Sequence, residues 1–324
     1  MPTVAPLDLT GHCVAACWLD DVPHFALADG AVHRLDNGHK HVQAHDGLLA
    51  VTLTLDGKAM LTGGEDGKVQ SIGPDGAVST IAEAGRRWVQ SVASGPQGAV
   101  AWTVGRNAFV RLPDGKVREF QHARTAEAVA FAPKGMRIAV ARYNGATLHF
   151  PAAEGKPVEL EWAGAHVAVT FSPDGQFLVT AMQENALHGW KLVDGKHMRM
   201  TGYPAKVKSL SWGPKGRWLA SSGAQAAIVW PFQAKDGPMG KAPLELGARG
   251  DSMATAVSFH SADEIVAVGY ADGMVMAVRC ADSREVLLRR PGKGAITSMA
   301  WDRAGRRLAF GSETGDCGVV DIAG

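Results

Sequence analysis

The sequence predicts an all-β chain built from eight four-stranded units, and three observations predict it. One phrase recurs along the 324 residues: an alternating apolar segment, a Gly or Pro turn, a second apolar segment, a Gly, Asp or Asn turn, then a third segment. Within each copy the apolar residues alternate and helical spacing is absent, so each segment is a strand and each break a hairpin turn. The turn glycines Gly57, Gly98, Gly135, Gly175 and Gly216 recur about every 40 residues, the period of a four-stranded propeller blade. Length divided by that period gives eight blades, with seven as the alternative if the degenerate first or third copy is misread.

The copies follow in chain order. The first, VAACWLDDVPHFALADGAVHRL, is weak; LAVTLTLDGKAMLTGGEDGKVQSI is clear; VQSVASGPQGAVAWTVGRNAFVRL is weak again. The stretch Trp88 to Gly105 is uncharged and long, but its Gln, Ser, Gly and Pro residues make it two strands around a turn rather than a membrane span. The fourth is EAVAFAPKGMRIAVARYNGATLHF, and the fifth, Ala165 to Lys196, is the most regular. VKSLSWGPKGRWLASSGAQAAIVW, TAVSFHSADEIVAVGYADGMVMAV and TSMAWDRAGRRLAFGSETGDCGVV complete the series.

After each third strand a further turn, such as LDNGH, LPDGK or LVDGK, leads to a more polar fourth strand. Proline and charge are tolerated there because an edge strand need not donate every N–H. The segments Pro157-Val158-Glu159-Leu160 and Pro243-Leu244-Glu245-Leu246 have this character, and so does Pro6-Leu7-Asp8-Leu9. The eighth copy ends at its third strand, so residues 4–9 are expected to supply its outer strand and close a ring on the three inner strands in 295–323. The expected organisation is one propeller domain, 1–324.

Lys and Arg (33) balance Asp and Glu (32), leaving a formal charge of +1, so the bulk field that draws a protein to nucleic acid or an anionic membrane is missing. The opening MPTVAPLDLTGH lacks the basic start and apolar stretch of a secretory signal. Cys13, Cys17, Cys280 and Cys317 make no CxxC pair, which fits a reducing compartment. These features predict a soluble, cytoplasmic, monomeric protein, and the Ala, Gly and Arg richness resembles a GC-rich bacterial genome.

The phrases FSPDGQFLVT and GGEDGKV, and the GH before the first inner strand, resemble the WD40-repeat family of β-propellers over essentially the whole chain. The resemblance implies a blade network of His, Ser or Thr, Asp and Trp. The second copy comes nearest with His45, Thr62 and Asp66, but Ile72 stands in the Trp position, which Trp190 and Trp230 fill in the fifth and sixth copies.

Six of the twelve histidines lie between His12 and His45, with Cys13 and Cys17 nearby. His33 and His41 could be cross-strand neighbours, the basis of an alternative reading as a metal-linked module using the first blade. No cofactor is expected. GxSxG, HExxH and GxxxxGK motifs are absent, and most acids sit in turns, so a propeller hydrolase is the less favoured reading and no enzymatic activity is expected.

The resemblance implies partner binding on the face that carries the links between blades and the turns between second and third strands. There the sequence places Arg86, Arg87, Trp88, Arg106, Asn107, Arg124, Arg142 and Tyr143, with Tyr203 and Tyr270 further round, interleaved with Glu65, Asp66, Glu127, Glu184, Asp272 and Glu313. Arginine and aromatic side chains favour binding hot spots. The expected function is a non-catalytic scaffold or adaptor that holds a protein partner or acidic peptide on this face.

Overall fold

The computed structural model describes residues 3–36 and 38–322. Asn37, inside the expected LDNGH turn, and residue 323 of the last expected blade lie outside the described residues. The chain is all-β: the helical content of the described residues is two 3-10 turns, Pro96–Gly98 and Pro214–Gly216. Neither 3-10 turn is long and apolar enough to cross a membrane.

The strands hydrogen-bond into seven sheets, six of four strands and one of six. This is the alternative count, and it corrects the expectation of eight separate sheets. All eight phrases are present as strands, but the fourth and fifth share the six-stranded sheet. Its strands are Ala126–Phe131, Ile138–His149, Val158–Phe171, Phe177–Met182, Leu187–Lys191 and His197–Met200. Two of them are long enough to do double duty. Ile138–His149 turns at Asn144 and Gly145, both at positive φ, so that its first half pairs with Ala126–Phe131 and its second with the start of Val158–Phe171. Val158–Phe171 then continues through Gly164, at φ 122°, to pair with Phe177–Met182.

The expected turn glycines adopt positive φ: 69° at Gly57, 78° at Gly98, 75° at Gly135 and Gly175, and 69° at Gly216. The weak third copy folds as Ser91–Ser94, Val100–Val104, Asn107–Arg111 and Val117–Gln121. The eighth copy takes its outer strand from the other end of the chain. Thr3–Asp8 pairs antiparallel with Asp316–Asp321, Thr3 opposite Asp321 and Asp8 opposite Asp316.

Contacts divide the chain into two compact units, Met1–Ala28, Val32–Lys40 and Gly202–Gly324 in one, and Asp29–Ala31 and His41–Thr201 in the other. Each is built the same way, with apolar side chains of one sheet packed on those of the next. In the first unit Phe25, Leu27 and Cys13 pack with Ala309 and Cys317, and Val275 and Leu288 pack with Ile296 and Phe310. In the second, Val69 and Leu61 pack with Val100 and Trp102, and Val110 packs with Val129 and Ile138. Each fully buried Val, Leu, Ile or Phe contributes about 1.5–3 kcal/mol relative to exposure.

The tie between Thr3–Asp8 and the eighth copy continues where the Leu9 N–H donates to the Gly315 carbonyl at 2.8 Å. Gly315 has φ 85°, and a Cβ there would lie 1.5 Å from the Leu9 oxygen. Gly315→Ala therefore should lower stability by about 2–4 kcal/mol in urea unfolding. Gly57→Ala, at φ 69° with nothing within 4 Å, should cost only about 1 kcal/mol, the left-handed backbone penalty alone. Equal losses at the two positions would contradict the closure described.

Candidate functional site

The links between copies and the hairpin turns are stitched together by the backbone. In the second unit, Ala84 N–H donates to Gly67 O at 2.7 Å and Val89 N–H to Gly64 O at 3.0 Å. His122 N–H donates to Arg106 O at 2.9 Å and Ala126 N–H to Gly105 O at 2.8 Å. These bonds hold the link bearing Arg86, Arg87 and Trp88 across one hairpin turn, and the link bearing Arg124 across the turn bearing Arg106. At Gly67, with φ 78°, a Cβ would lie 1.9 Å from the Gly85 oxygen, so only glycine permits that close approach.

Of the expected contact residues in this unit, Arg86, Arg87, Arg106 and Arg124 are exposed. None has a carboxylate partner among the described residues; Arg87 Nε makes one long bond, 3.3 Å, to Ala84 O. Trp88 and Tyr143 are 55% and 51% exposed, among the large hydrophobic side chains that stand in solvent. Asn107 is half-buried, and its Nδ2 donates to Glu119 Oε1 at 2.5 Å, so that amide is occupied. Of the interleaved acids, Glu184 accepts the Ala165 N–H at 3.0 Å and Asp66 accepts from His45 at 2.9 Å; both are structural.

Arg142 has a different role. Its Nε donates to Thr147 Oγ1 at 2.9 Å, its Nη1 donates to the carbonyls of Tyr143 and Asn144 at 3.0 and 3.1 Å, and its Nη2 donates to Glu159. Thr147 in turn donates to Glu159 Oε2 at 2.8 Å. Burial pushes the Glu159 carboxyl up, but the bonds from Arg142 and Thr147 outweigh it and hold the group below its usual value. Arg142, expected to meet a partner, is thus engaged as a brace across one hairpin turn and two strands. Its guanidinium has little left to donate.

The brace forms one wall of a cavity of about 290 Å³ whose lining includes His122, Arg124, Tyr143, Thr147, His149 and Glu159. A second opening, about 430 Å³, adjoins it at Arg124 and Tyr143 and includes Thr125 and Glu127. The two ring nitrogens His122 Nε2 and His149 Nε2 face each other at 3.3 Å, so only one carries a proton there. Burial first, and His122 second, push His149 down to about 4; burial and the Arg142 charge lower His122. The floor of the cavity is therefore neutral at pH 7, and its one free cation among the described residues is Arg124. Sequence reasoning missed His122, Thr147, His149 and Glu159. The PVEL edge-strand pattern marked Glu159, but its placement opposite Thr147 follows only from the strand register.

The first unit removes two further candidates. Tyr203 is buried: Trp230 Nε1–H donates to its oxygen at 2.6 Å, and its hydroxyl lies 2.6 Å from Ser221 Oγ, which donates to Ile228 O. Tyr203 here takes the place of the network histidine. Burial pushes its hydroxyl up to about 12. Tyr270 is 0% exposed and donates to Gly247 O beneath the Arg249 guanidinium. Arg249 pairs with Asp272 at 2.7 Å and Asp251 at 3.0 Å, and Arg289 pairs with Asp316, so these arginines are also structural. The second copy has the expected His45 network, Nδ1–H donating to Asp66 and Nε2 accepting from Thr62 at 2.8 Å, with Ile72 buried beside it.

In the histidine-rich region His33 Nδ1 lies 2.8 Å from His39 Nε2, with the rings stacked at 5.0 Å, while His41 is exposed. Among the described residues no three His, Cys, Asp or Glu side chains are grouped to hold a metal ion.

Two predictions follow from this sorting of polar groups. Arg142→Ala should destabilise the protein by about 2 kcal/mol, by stranding Thr147 and Glu159, whereas Arg106→Ala and Arg124→Ala stay within about 0.5 kcal/mol in denaturant unfolding. His188 tests the acid response. It is 0% exposed, its ring stacks on Trp162 at 4.0 Å, neither nitrogen has a hydrogen-bond partner, and burial pushes it down to about 3. Because the unfolded chain takes up that proton near pH 6.5, stability is full above this value and falls as pH drops from about 6.5 towards 3. His188→Phe, which loses no bond, should be neutral or stabilising at pH 7 and should flatten this fall, as read from unfolding midpoints across that range.

Residues 196–230, the outer strand of the fifth copy and the three inner strands of the sixth, match the WD domain, G-beta repeat family. No curated protein matches the sequence. Among solved structures, the chain is similar to the crystal structure of the computationally designed Ika8 protein, with a TM-score of 0.77 at 18% identity over 97% of this chain and 98% of that one. At that identity the likeness speaks for the fold alone. With the four-stranded phrase repeated from end to end, the chain is a β-propeller in which residues 196–230 match one WD40-type repeat.

Proposed function

We propose that the protein is a non-catalytic interaction scaffold that holds an acidic segment of a protein partner on the links and hairpin turns of its second to fourth copies. WD40 propellers are in general interaction scaffolds, and the family match supports that coarse reading. The finer one rests on a single observation. On that face the aromatic rings of Trp88 and Tyr143 stand half in water beside Arg86, Arg87, Arg106 and Arg124, whose charges no carboxylate of the described structure neutralises.

Internal bonding separates this set from the rest of the arginines. Arg142, Arg249 and Arg289 are fixed to carboxylates and hold the fold together. The four free arginines can pair with carboxylates of a partner, and the two rings can supply desolvated contact area around them. Arg124 and Tyr143 border both cavities, which offers room for one side chain of the bound segment. We place this activity in the cytoplasm, on the four free cysteines.

Fluorescence anisotropy with labelled peptides that alternate Glu with aromatic residues, and Lys-for-Glu counterparts, tests the reading. Wild-type protein should favour the acidic series, with affinity falling as salt rises. The combined change Arg87→Glu, Arg106→Glu and Arg124→Glu should weaken it at least about tenfold without lowering the unfolding midpoint. Equal binding of both series, or unchanged affinity in the triple variant, would remove this surface from the account.

A further inference from the structure

We propose that Cys13 and Cys317 form an oxidative cross-linking site, a dithiol that a small hydroperoxide converts to a disulfide tying the first copy to the last. Cys13 lies on the strand Cys13–Leu19 and Cys317 on Asp316–Asp321, in different sheets of one compact unit. Both are fully buried, at 0% exposure. Both side chains belong to one apolar cluster with Leu9 and Phe25. Both sulfurs also border one point, since a Cβ on Gly311 would lie 2.2 Å from Cys13 Sγ and 3.3 Å from Cys317 Sγ. The absence of a side chain at Gly311 is what leaves the two thiols room to meet.

The surrounding backbone is held on both sides. Thr297 Oγ1 donates to the Cys13 carbonyl at 2.6 Å, and Ala16 N–H donates to Ser298 Oγ at 2.9 Å. Cys317 lies opposite Leu7 on the closing strand. The thiols are therefore presented to each other by two fixed strands, and a bond between them requires no exchange of partners. Cys17 and Cys280 are buried without such a thiol partner.

Cys317 is the attacking sulfur. Cys13 beside it and the Ser312 backbone favour its thiolate against burial and the Asp316 charge, so its acidity is raised while that of Cys13 is lowered. The thiolate attacks one peroxide oxygen: an S–O bond forms, the O–O bond breaks, and hydroxide leaves and is protonated to water. Sulfur is oxidised by two electrons to the sulfenic acid and the peroxide is reduced. Cys13 Sγ then attacks the Cys317 sulfur; the S–S bond forms, the S–O bond breaks, and the departing hydroxide takes the Cys13 proton as a second water. Entry is through the closing strand: Thr3–Asp8 is exposed along its length except at half-buried Leu7, and an edge strand of that kind opens locally without global unfolding.

The disulfide would enclose nearly the whole chain in one covalent loop, the case in which cross-linking restricts the unfolded state most. Full-length protein treated with hydrogen peroxide, then alkylated and digested without reductant, should yield one peptide joining Cys13 to Cys317. Its intact mass should fall by two hydrogens. The thermal midpoint should rise by roughly 5 °C or more and return on adding dithiothreitol. Cys17→Ser should behave as wild type, and Cys317→Ser should show neither the mass loss nor the shift. The proposal is overturned if both thiols remain alkylatable after peroxide, if Cys317 goes on to sulfinic acid without cross-linking, or if the linked peptide carries Cys17 or Cys280. The wild-type digest decides this even if a variant folds poorly.

Discussion

Face-to-face packing of sheets is the constraint on which the rest of this structure depends. A strand in an inner position must offer apolar side chains on both faces, because each face meets a neighbouring sheet. This is why second strands such as Met60–Gly64, Val100–Val104 and Phe177–Met182 are buried at every position, while outer strands such as Val78–Glu83 and Val117–Gln121 are mostly exposed. Most charged side chains are thereby placed at the links and turns, where they either seal the backbone or face solvent, while polar groups buried in the strands, such as Thr62 and Ser221, are hydrogen-bonded.

That division sorts the arginines. Where the His–Asp pair of the second copy is missing, other groups take over its work: Tyr203 with Ser221 and Trp230, Arg249 with Asp272, and Arg289 with Asp316. Each replacement restores a link-to-turn connection with different side chains. The arginines used this way are committed to the fold, and those left over, with Trp88 and Tyr143, form the surface proposed for a partner. A near-zero net charge is compatible with this because the local excess is balanced by acids held in turns.

Much of the fold was legible in the sequence because its signals are local. The alternation of LAVTLTL and AHVAVTF and the glycines at positive φ at Gly57 and Gly175 fix strands and hairpins directly. The outer-strand character of Pro6-Leu7-Asp8-Leu9 even marked the tie between the chain's two ends. The merging of the fourth and fifth copies was not legible: only Ala163 and Gly164 separate their strands, and whether two residues turn or run straight is decided by packing. The site was less readable for the same reason. Arg142, Tyr203 and Tyr270 occupy link or turn positions in the sequence, and their removal from the surface depends on partners such as Glu159, Trp230 and Gly247, far along the chain.

The central claim is that recognition uses the arginine and aromatic groups that the fold does not itself consume. Hydrogen–deuterium exchange of the full protein, alone and with a saturating acidic peptide, addresses it most directly. The account predicts new protection confined to the links around Arg86–Trp88 and Arg124 and to the turns at Arg106 and Tyr143, with the amides near Tyr203, Arg249 and Tyr270 unchanged. Protection centred on those structural positions, or spread along the outer strands, would contradict it.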